Sequence, residues 1–340
     1  MSETFSRVDY KTLCQIFKLR EQPLRKAVAS IVKKFYDEKD IVATKDFVCA
    51  WGEIPVALVA HMDTVHATPP VEIFHDAEQG VIWSPEGIGA DDRAGVYAII
   101  TLLTDGYRPT VIFTTREEVG GLGAEAFIEM FPQPKVPVNF LVELDRRGKE
   151  DMVFYDCDNP DFTEFIGKYG FVEDWGSFSD ISVIAPDWEI AAVNLSIGYE
   201  DEHTKYERLY YRAMLETIAK VRRILDDAAI ESKSFKYIPG VSYGCYGSWN
   251  KYSGWGSHYD EQTGAFISTC DGCEEHKKDL KYIYDGGTYW ALCPDCLKKM
   301  TKKCEKCGNH FIPWEDEETL CSSCRKKKDG KGAGRNVHIL

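Results

Sequence analysis

The chain has 340 residues, with 41 Lys plus Arg against 55 Asp plus Glu, a formal net charge of −14 and twelve cysteines. An apolar share of 44% suits a globular protein long enough for one large core and a small second unit. The negative balance argues against a chain built to grip nucleic acid or anionic lipid, and the longest apolar runs, Ile54 to Ala60 and Val96 to Leu103, are far too short to span a bilayer.

The start, Met1-Ser-Glu-Thr, lacks the basic and apolar stretches of a secretion signal. A reducing cytoplasm is therefore expected, where cysteines serve as ligands rather than disulfides. Charge and cysteine are both uneven. Residues 51–200 carry 8 basic and 27 acidic side chains, whereas residues 266–340 carry 14 and 12, and eight of the twelve cysteines fall between Cys270 and Cys324. This break predicts a catalytic-sized domain over 1–236 and a Gly- and aromatic-rich linker over 237–266. A cysteine module over 267–326 and a basic tail over 327–340 follow.

In chain order, the apolar spacing predicts a helix from Leu24 to Tyr36, a strand from Pro55 to Ala60 and a helix from near Asp92 to Leu103. Strands follow at Thr110 to Thr114, Val138 to Leu144 and Met152 to Tyr155, then a helix at Asp161 to Tyr169. A strand at Ile190 to Leu195 and a long helix from Thr204 to Asp227 complete the set. Alternation of this kind predicts an α/β fold, a mostly parallel mixed sheet with helices on both faces. In such sheets, sites gather beyond the carboxyl ends of the strands.

Those ends carry a consistent chemistry. His61-Met-Asp63 follows the first strand, Arg116-Glu117-Glu118-Val-Gly-Gly the second and Asp145 the third, while the loop after Leu195 leads to His203. One more acidic pair, Asp91-Asp92, opens a helix. Any one of these is unremarkable alone; an aspartate there could simply cap the helix. Together, His61, Asp91, Glu118, Asp145 and His203 offer two imidazoles and three carboxylates, a ligand set suited to a pair of zinc ions, with cobalt or manganese as alternatives. Asp63, two residues after His61 on an extended chain, lies on the same side and can fix the imidazole tautomer. Of the adjacent Glu117 and Glu118, one carboxylate can serve the metal and the other can act as a general base on water.

The segments HMDTV (61–65), GADDRAG (89–95), TTREEVGGLGA (114–124), ELD (143–145) and SD…NLSIG…HTKYE (179–207) resemble the co-catalytic di-zinc exopeptidases. That clan includes peptidase T, glutamate carboxypeptidase, the aminoacylases and zinc aminopeptidases. The resemblance covers about residues 50–225. It implies His61, Asp91 and Asp145 around one zinc, Asp91, Glu118 and His203 around the other, Asp91 as the bridge, and Glu117 as the base. It also implies a cis bond after the bridging aspartate. Many carboxypeptidase-like members insert a lid domain between the fourth and fifth ligands, but here Asp145 and His203 are only 58 positions apart, closer to the aminopeptidase branch. The oxyanion donor is thus open, with Tyr199 and Arg146 as candidates beside plainer readings as a pocket wall and a salt bridge. Arg146-Arg147 could recognise an acidic group or simply balance charge, and Ser179-Asp180 matches a pair that recurs in the clan or forms a turn.

Towards the C-terminus stand Cys270-x-x-Cys273, Cys293-x-x-Cys296, Cys304-x-x-Cys307 and Cys321-x-x-Cys324. Four such knuckles make two tetrahedral four-cysteine zinc sites, paired in sequence or crossed, with sequential pairing favoured. His276 and His310 are spare donors. The module resembles a zinc ribbon or treble clef, and with so little core its metals are expected to fold it. Its expected partner is a protein ahead of nucleic acid, and the run Arg325-Lys-Lys-Lys328 is read as a solvated tail.

The sequence therefore predicts a zinc-dependent hydrolase of a peptide bond, an exopeptidase acting on a peptide or acyl-amino-acid substrate, with two catalytic and two structural zinc ions. The alternatives are an N-acyl amino-acid deacylase with the same site, or a zinc-finger interaction protein carrying an inactive hydrolase. The acidic surroundings suit a free amino terminus better than a carboxylate as the recognised group.

Overall fold

Strands that the sequence marks as unbroken apolar runs become the middle of a sheet covered on both faces. The computed structural model describes residues 9–230, 233–240, 258–260, 265–269, 273, 276–277, 281–285, 288–308, 310–313, 318–321 and 324–325. Two units, Met1–Tyr246 and Gly247–Leu340, are each compact.

The first unit runs α1 (Tyr10–Phe17), α2 (Glu21–Val32), β1 (Ile41–Ala43), β2 (Phe47–Ala50), β3 (Ile54–His61), β4 (Phe74–Asp76), β5 (Val81–Trp83) and α3 (Ala90–Thr104). It continues with β6 (Pro109–Thr114), α4 (Leu122–Met130), β7 (Phe140–Arg146), β8 (Asp151–Val153), α5 (Pro160–Gly167), β9 (Val172–Glu173) and α6 (Ile181–Trp188). Last come β10 (Ala192–Ser196), β11 (Tyr199–Glu200), β12 (Arg208–Tyr210) and α7 (Tyr211–Ile230).

The main sheet has eight strands in the order β1-β2-β6-β3-β7-β10-β8-β9. Its four central strands, β6, β3, β7 and β10, are mutually parallel, and β2 and β8 flank them antiparallel. A smaller sheet, β11-β12-β5-β4, is built beside it. Alternate residues of β3 separate the two faces. Val56, Leu58 and Ala60 enter a core with Leu24, Ile99, Ile218 and Leu225, while Ala57 and Val59 enter a second core with Phe127, Ile184 and Trp188. In the second core, Phe47, Trp51, Phe127, Phe131 and Trp188 pack ring against ring with centroids 5.2–6.4 Å apart. Gly95 lets α3 lie on β7, since a Cβ there would stand 2.3 Å from the Leu144 carbonyl oxygen.

The fold class is the expected one, with several boundaries moved. The single helix expected from Thr204 is instead β12 followed by α7. Leu209 pairs with Ile82 of β5, and the helical repeat begins only after Tyr210. β7 runs two residues further than expected, so Asp145 stands within the strand rather than after it. Helices α4 and α6 escape a periodicity reading because each is short, and α6 contains Pro186. Residues 237–240 pair with the first unit through a Cys157–Pro239 bridge; the rest of the 237–266 linker lies outside the described residues, save 258–260 and 265–266.

In the second unit, a hairpin of Lys281–Asp285 with Thr288–Leu292 leads into a helix, Pro294–Met300, and then a short pair of strands, Lys302–Lys303 with His310–Phe311. Its cores are small and half made of cysteine: Ile283 and Leu292 with Cys293 and Cys296, and Phe311 with Cys304, Cys321 and Cys324. The predicted tail, 327–340, lies outside the described residues.

Candidate active site

The parallel register sets His61 of β3 level with Thr114 of β6, so the first ligand and the Glu117-Glu118 turn emerge at the same sheet edge. β7 brings Asp145 to that edge, and the chain after β11 returns His203 to it. Asp91 arrives from the start of α3, where Asp91 and Asp92 depart from helical dihedrals and the bond between them is cis, as the resemblance implies.

The five side chains converge as two sets sharing one member. His61, Asp91 and Asp145 form one set and Asp91, Glu118 and His203 the other, with ligand atoms within 4.8 Å of one another in each. His61 Nε2 lies 3.1 Å from Asp91 Oδ1 and 3.4 Å from Asp145 Oδ1. On the far side, His203 Nε2 lies 3.1 Å from Asp91 Oδ2 and 2.9 Å from Glu118 Oε2. Asp91 thus presents one oxygen to each set. Glu117 Oε2 stands 3.9 Å from His61 Nε2 without entering either set.

The electrostatics follow from the crowding of carboxylates and imidazoles. Burial alone would lower the pKa of His61, but the Asp145, Asp63 and Asp91 carboxylates push it well up. Hydrogen bonds to Asp91 and Glu118 raise His203 to about 11. Burial lifts Glu117 well above the carboxylate range, and lifts Asp145 to about 6. Three largely buried carboxylates crowded together favour cations between them. Glu118 Oε1, buried and without a hydrogen-bond partner among the described residues, is a donor atom to spare. The donor set is nitrogen and oxygen in the mix that zinc takes, so the residues fit a pair of divalent ions.

Around the cluster, hydrogen bonds fix several of these side chains and their backbone. Asp63 Oδ1 lies 3.3 Å from His61 Nδ1, and its two oxygens accept the backbone N–H groups of Glu117 (3.1 Å) and Glu118 (3.2 Å). One carboxylate therefore orients the first imidazole and the acidic turn together. Asp92 accepts the His61 N–H at 3.2 Å and the Gly95 N–H at 3.0 Å.

Ser179 donates to Asp145 Oδ2 at 3.0 Å, and Asp180 accepts the Thr114 hydroxyl rather than capping α6. Burial lifts Asp180 to about 7. Asn194 accepts the Asp145 N–H at 2.9 Å. Glu207, 1% exposed, accepts the N–H groups of Gly89 (2.8 Å) and Asp91 (2.9 Å). Neither Asn194 nor Glu207 stood out singly in the sequence, although both sit inside quoted segments, NLSIG and HTKYE.

The two oxyanion candidates are occupied. The Tyr199 hydroxyl shares its one proton between the Asp145 carbonyl (2.9 Å) and Asp145 Oδ1 (3.1 Å), so it braces Asp145. Arg146 is drawn away by Asp174 and the Trp175 carbonyl, the salt-bridge alternative, because the strand turns its side chain towards that acidic loop. Arg147 pairs with Glu202 at 2.8 Å, the arrangement of the charge-balancing alternative.

In the second unit, Cys304, Cys307, Cys321 and Cys324 bring their sulfurs within 4.8 Å of one another, and Cys273, Cys293 and Cys296 do the same. The grouping is sequential. Cys270 lies outside the described residues, as does the side chain of His276, and His310 Nδ1 is hydrogen-bonded with Thr301 at 2.8 Å.

Residues 50–169 match the model of peptidase family M28. No curated protein matches the sequence. Among solved structures, the chain is similar to aminopeptidase PepT from Bacillus cereus, with 14% identity and a TM-score of 0.53 over 64% of this chain and 97% of that one. It is also similar to an aminopeptidase from the archaeon Desulfurococcus kamchatkensis, with 15% identity and a TM-score of 0.52 over 67% and 98%. A tripeptidase from Staphylococcus aureus gives 14%, 0.50, 65% and 98%. At such identities these likenesses establish the fold, and the match over residues 50–169 together with the paired ligand sets supports a metallopeptidase.

Proposed function

We propose that the protein is a di-zinc exopeptidase that releases residues from the amino terminus of small peptides. The observation that carries the reading is Asp91, one oxygen on each ligand set, with Glu117 beside them and outside both. His61 and Asp145 would hold one ion, Glu118 and His203 the other, and Asp91 both. Bound there, two zinc ions would polarise the scissile carbonyl and acidify a water.

The chain's own residues do the rest. Glu117 takes the proton of the attacking water and hands it to the leaving amine. Asp63 keeps the His61 tautomer and the Glu117-Glu118 turn fixed, and Tyr199 and Ser179 keep Asp145 aimed. The acidic excess of residues 51–200 exceeds the roughly four charges of two zinc ions, which favours a cationic amino terminus.

The working boundaries are 1–236 for the catalytic domain, 237–266 for the linker and 267–326 for a module with two structural zinc ions, 304/307/321/324 in one site and 270/273/293/296 in the other. Matched aminoacyl and N-acyl amino-acid substrates test the direction. Turnover of the free-amine series is expected, and a clear preference for the N-acyl series would replace the reading with a deacylase.

A further inference from the structure

Glu207 is a carboxylate sealed from solvent with three donors on it: the N–H groups of Gly89 and Asp91, and His66 Nε2 at 2.8 Å. Its place follows from the small sheet. Glu207 directly precedes β12, whose Arg208 pairs with Trp83 at the end of β5, so its side chain falls beside the loop that climbs from β5 to Asp91. That loop is shaped to receive it. Gly87 and Gly89 have φ of +88° and +65°, and a Cβ on Gly87 would stand 2.2 Å from the His66 ring.

At the other end, Glu207 belongs to the same tight turn as His203. The Glu207 N–H donates to the Thr204 carbonyl, and the Thr204 hydroxyl donates to the Asp201 carbonyl. The His203 backbone is itself left-handed, with φ of +63°, so that turn aims its half-exposed imidazole at Asp91 and Glu118, 3.1 and 2.9 Å from its Nε2.

We infer that Glu207 is a positioning residue that sets the spacing of the metal pair, by locking the main chain of the shared ligand Asp91 to the turn that carries His203. The inference rests on the di-metal reading above. A buried carboxylate with backbone donors on both oxygens cannot be replaced by an amide without turning an NH2 group towards an N–H. Glu207→Gln should therefore let Asp91 and His203 drift apart, loosening the ion held by Asp91, Glu118 and His203 first. Residues that support metal ligands in this way are typically worth about 10–100-fold in metal affinity or activity.

The test uses the full chain. Cobalt is titrated into protein stripped of its catalytic ions, the visible absorption of the second ion is followed, and the melting temperature and kcat and KM on a dipeptide are measured alongside. Glu207→Gln is expected to fold, to bind the second cobalt about 10–100-fold more weakly with an altered spectrum, and to lose kcat with little change in KM. A folded variant with wild-type cobalt affinity and spectrum overturns the inference, even if its melting temperature is lower, since that would mark Glu207 as structural only. If Glu207→Gln does not fold, Glu207→Asp is read instead, which keeps the charge and shortens the reach; the same weakened second ion is expected, and wild-type binding overturns the inference. A wild-type protein that takes up no cobalt pair overturns the di-metal reading itself, a separate failure.

Discussion

Asp63→Asn is the perturbation whose consequence can be worked furthest. The carboxylate accepts the N–H groups of Glu117 and Glu118 at 3.1 and 3.2 Å, lies 3.3 Å from His61 Nδ1, and is largely buried. Asparagine keeps one acceptor oxygen. Its NH2 group would face either the Glu117 or the Glu118 N–H, or the imidazole N–H. At least one charge-assisted hydrogen bond is lost, about 1.5–3 kcal/mol, and one buried N–H is left unpaired at a further cost of about 1–3 kcal/mol. Some of that falls on folding and some on the site. If about 2–3 kcal/mol reaches the transition state, kcat/KM falls roughly 30- to 150-fold. Steady-state kinetics on a dipeptide, with metal content and thermal melting measured on the same sample, reads all three quantities. An Asn variant with wild-type kcat and full metal content would refute the reasoning that one carboxylate holds both the first imidazole and the acidic turn.

Three further outcomes follow from the same geometry. Gly95→Ala puts a Cβ 2.3 Å from the Leu144 carbonyl and 2.5 Å from Asp92 Oδ1, so it should destabilise the first unit by about 1–3 kcal/mol or more, read by urea unfolding. Wild-type stability would mean that α3 can back away from β7 freely. With His203 raised to about 11 and His61 pushed in the same direction by its carboxylate neighbours, both imidazoles favour the protonated form in metal-free protein and must lose that proton to bind metal. Zinc uptake should therefore release protons and weaken as pH falls, and calorimetry in buffers of different ionisation heat should count about one proton fewer for His203→Asn. An unchanged count contradicts the ligand role of His203. Cys321→Ser should remove about one zinc per chain and destabilise the module while leaving dipeptide turnover intact; loss of turnover would tie the module to the active site.

The parts of the site that could be read from the sequence are those in which chemistry and chain neighbourhood coincide. His61 and Asp63, the Glu117-Glu118 pair and the Asp91-Asp92 pair each sit at the end or start of an element marked by an apolar run, and a parallel sheet puts such ends at one edge. The residues that hold them were hidden because their partners are remote. Glu207 reaches Asp91 across 116 positions, Tyr199 reaches Asp145 across 54, and Asp180 reaches Thr114 across 66. Nothing local distinguishes a tyrosine that will donate to Asp145 from one that will line a pocket. Arg146 stands next to Asp145 in sequence, but the strand sends consecutive side chains to opposite faces and Asp174 pairs with it, in keeping with the plainer salt-bridge reading. The fold was legible where burial on both faces left apolar runs, as in Val56–Ala60 of β3, Val111–Phe113 of β6 and Phe140–Val142 of β7. It was lost in β12, whose three residues are strand only because β5 pairs with them.

The most direct measurement of the central claim is the metal content of the wild-type chain and of Glu117→Ala, each assayed on a panel of small peptides. The expected result is about four zinc ions per chain in both, two held by the paired sets of the first unit and two by the cysteines, with hydrolysis by the wild type alone. Two ions per chain, with peptide hydrolysis untouched by the substitution, would contradict it.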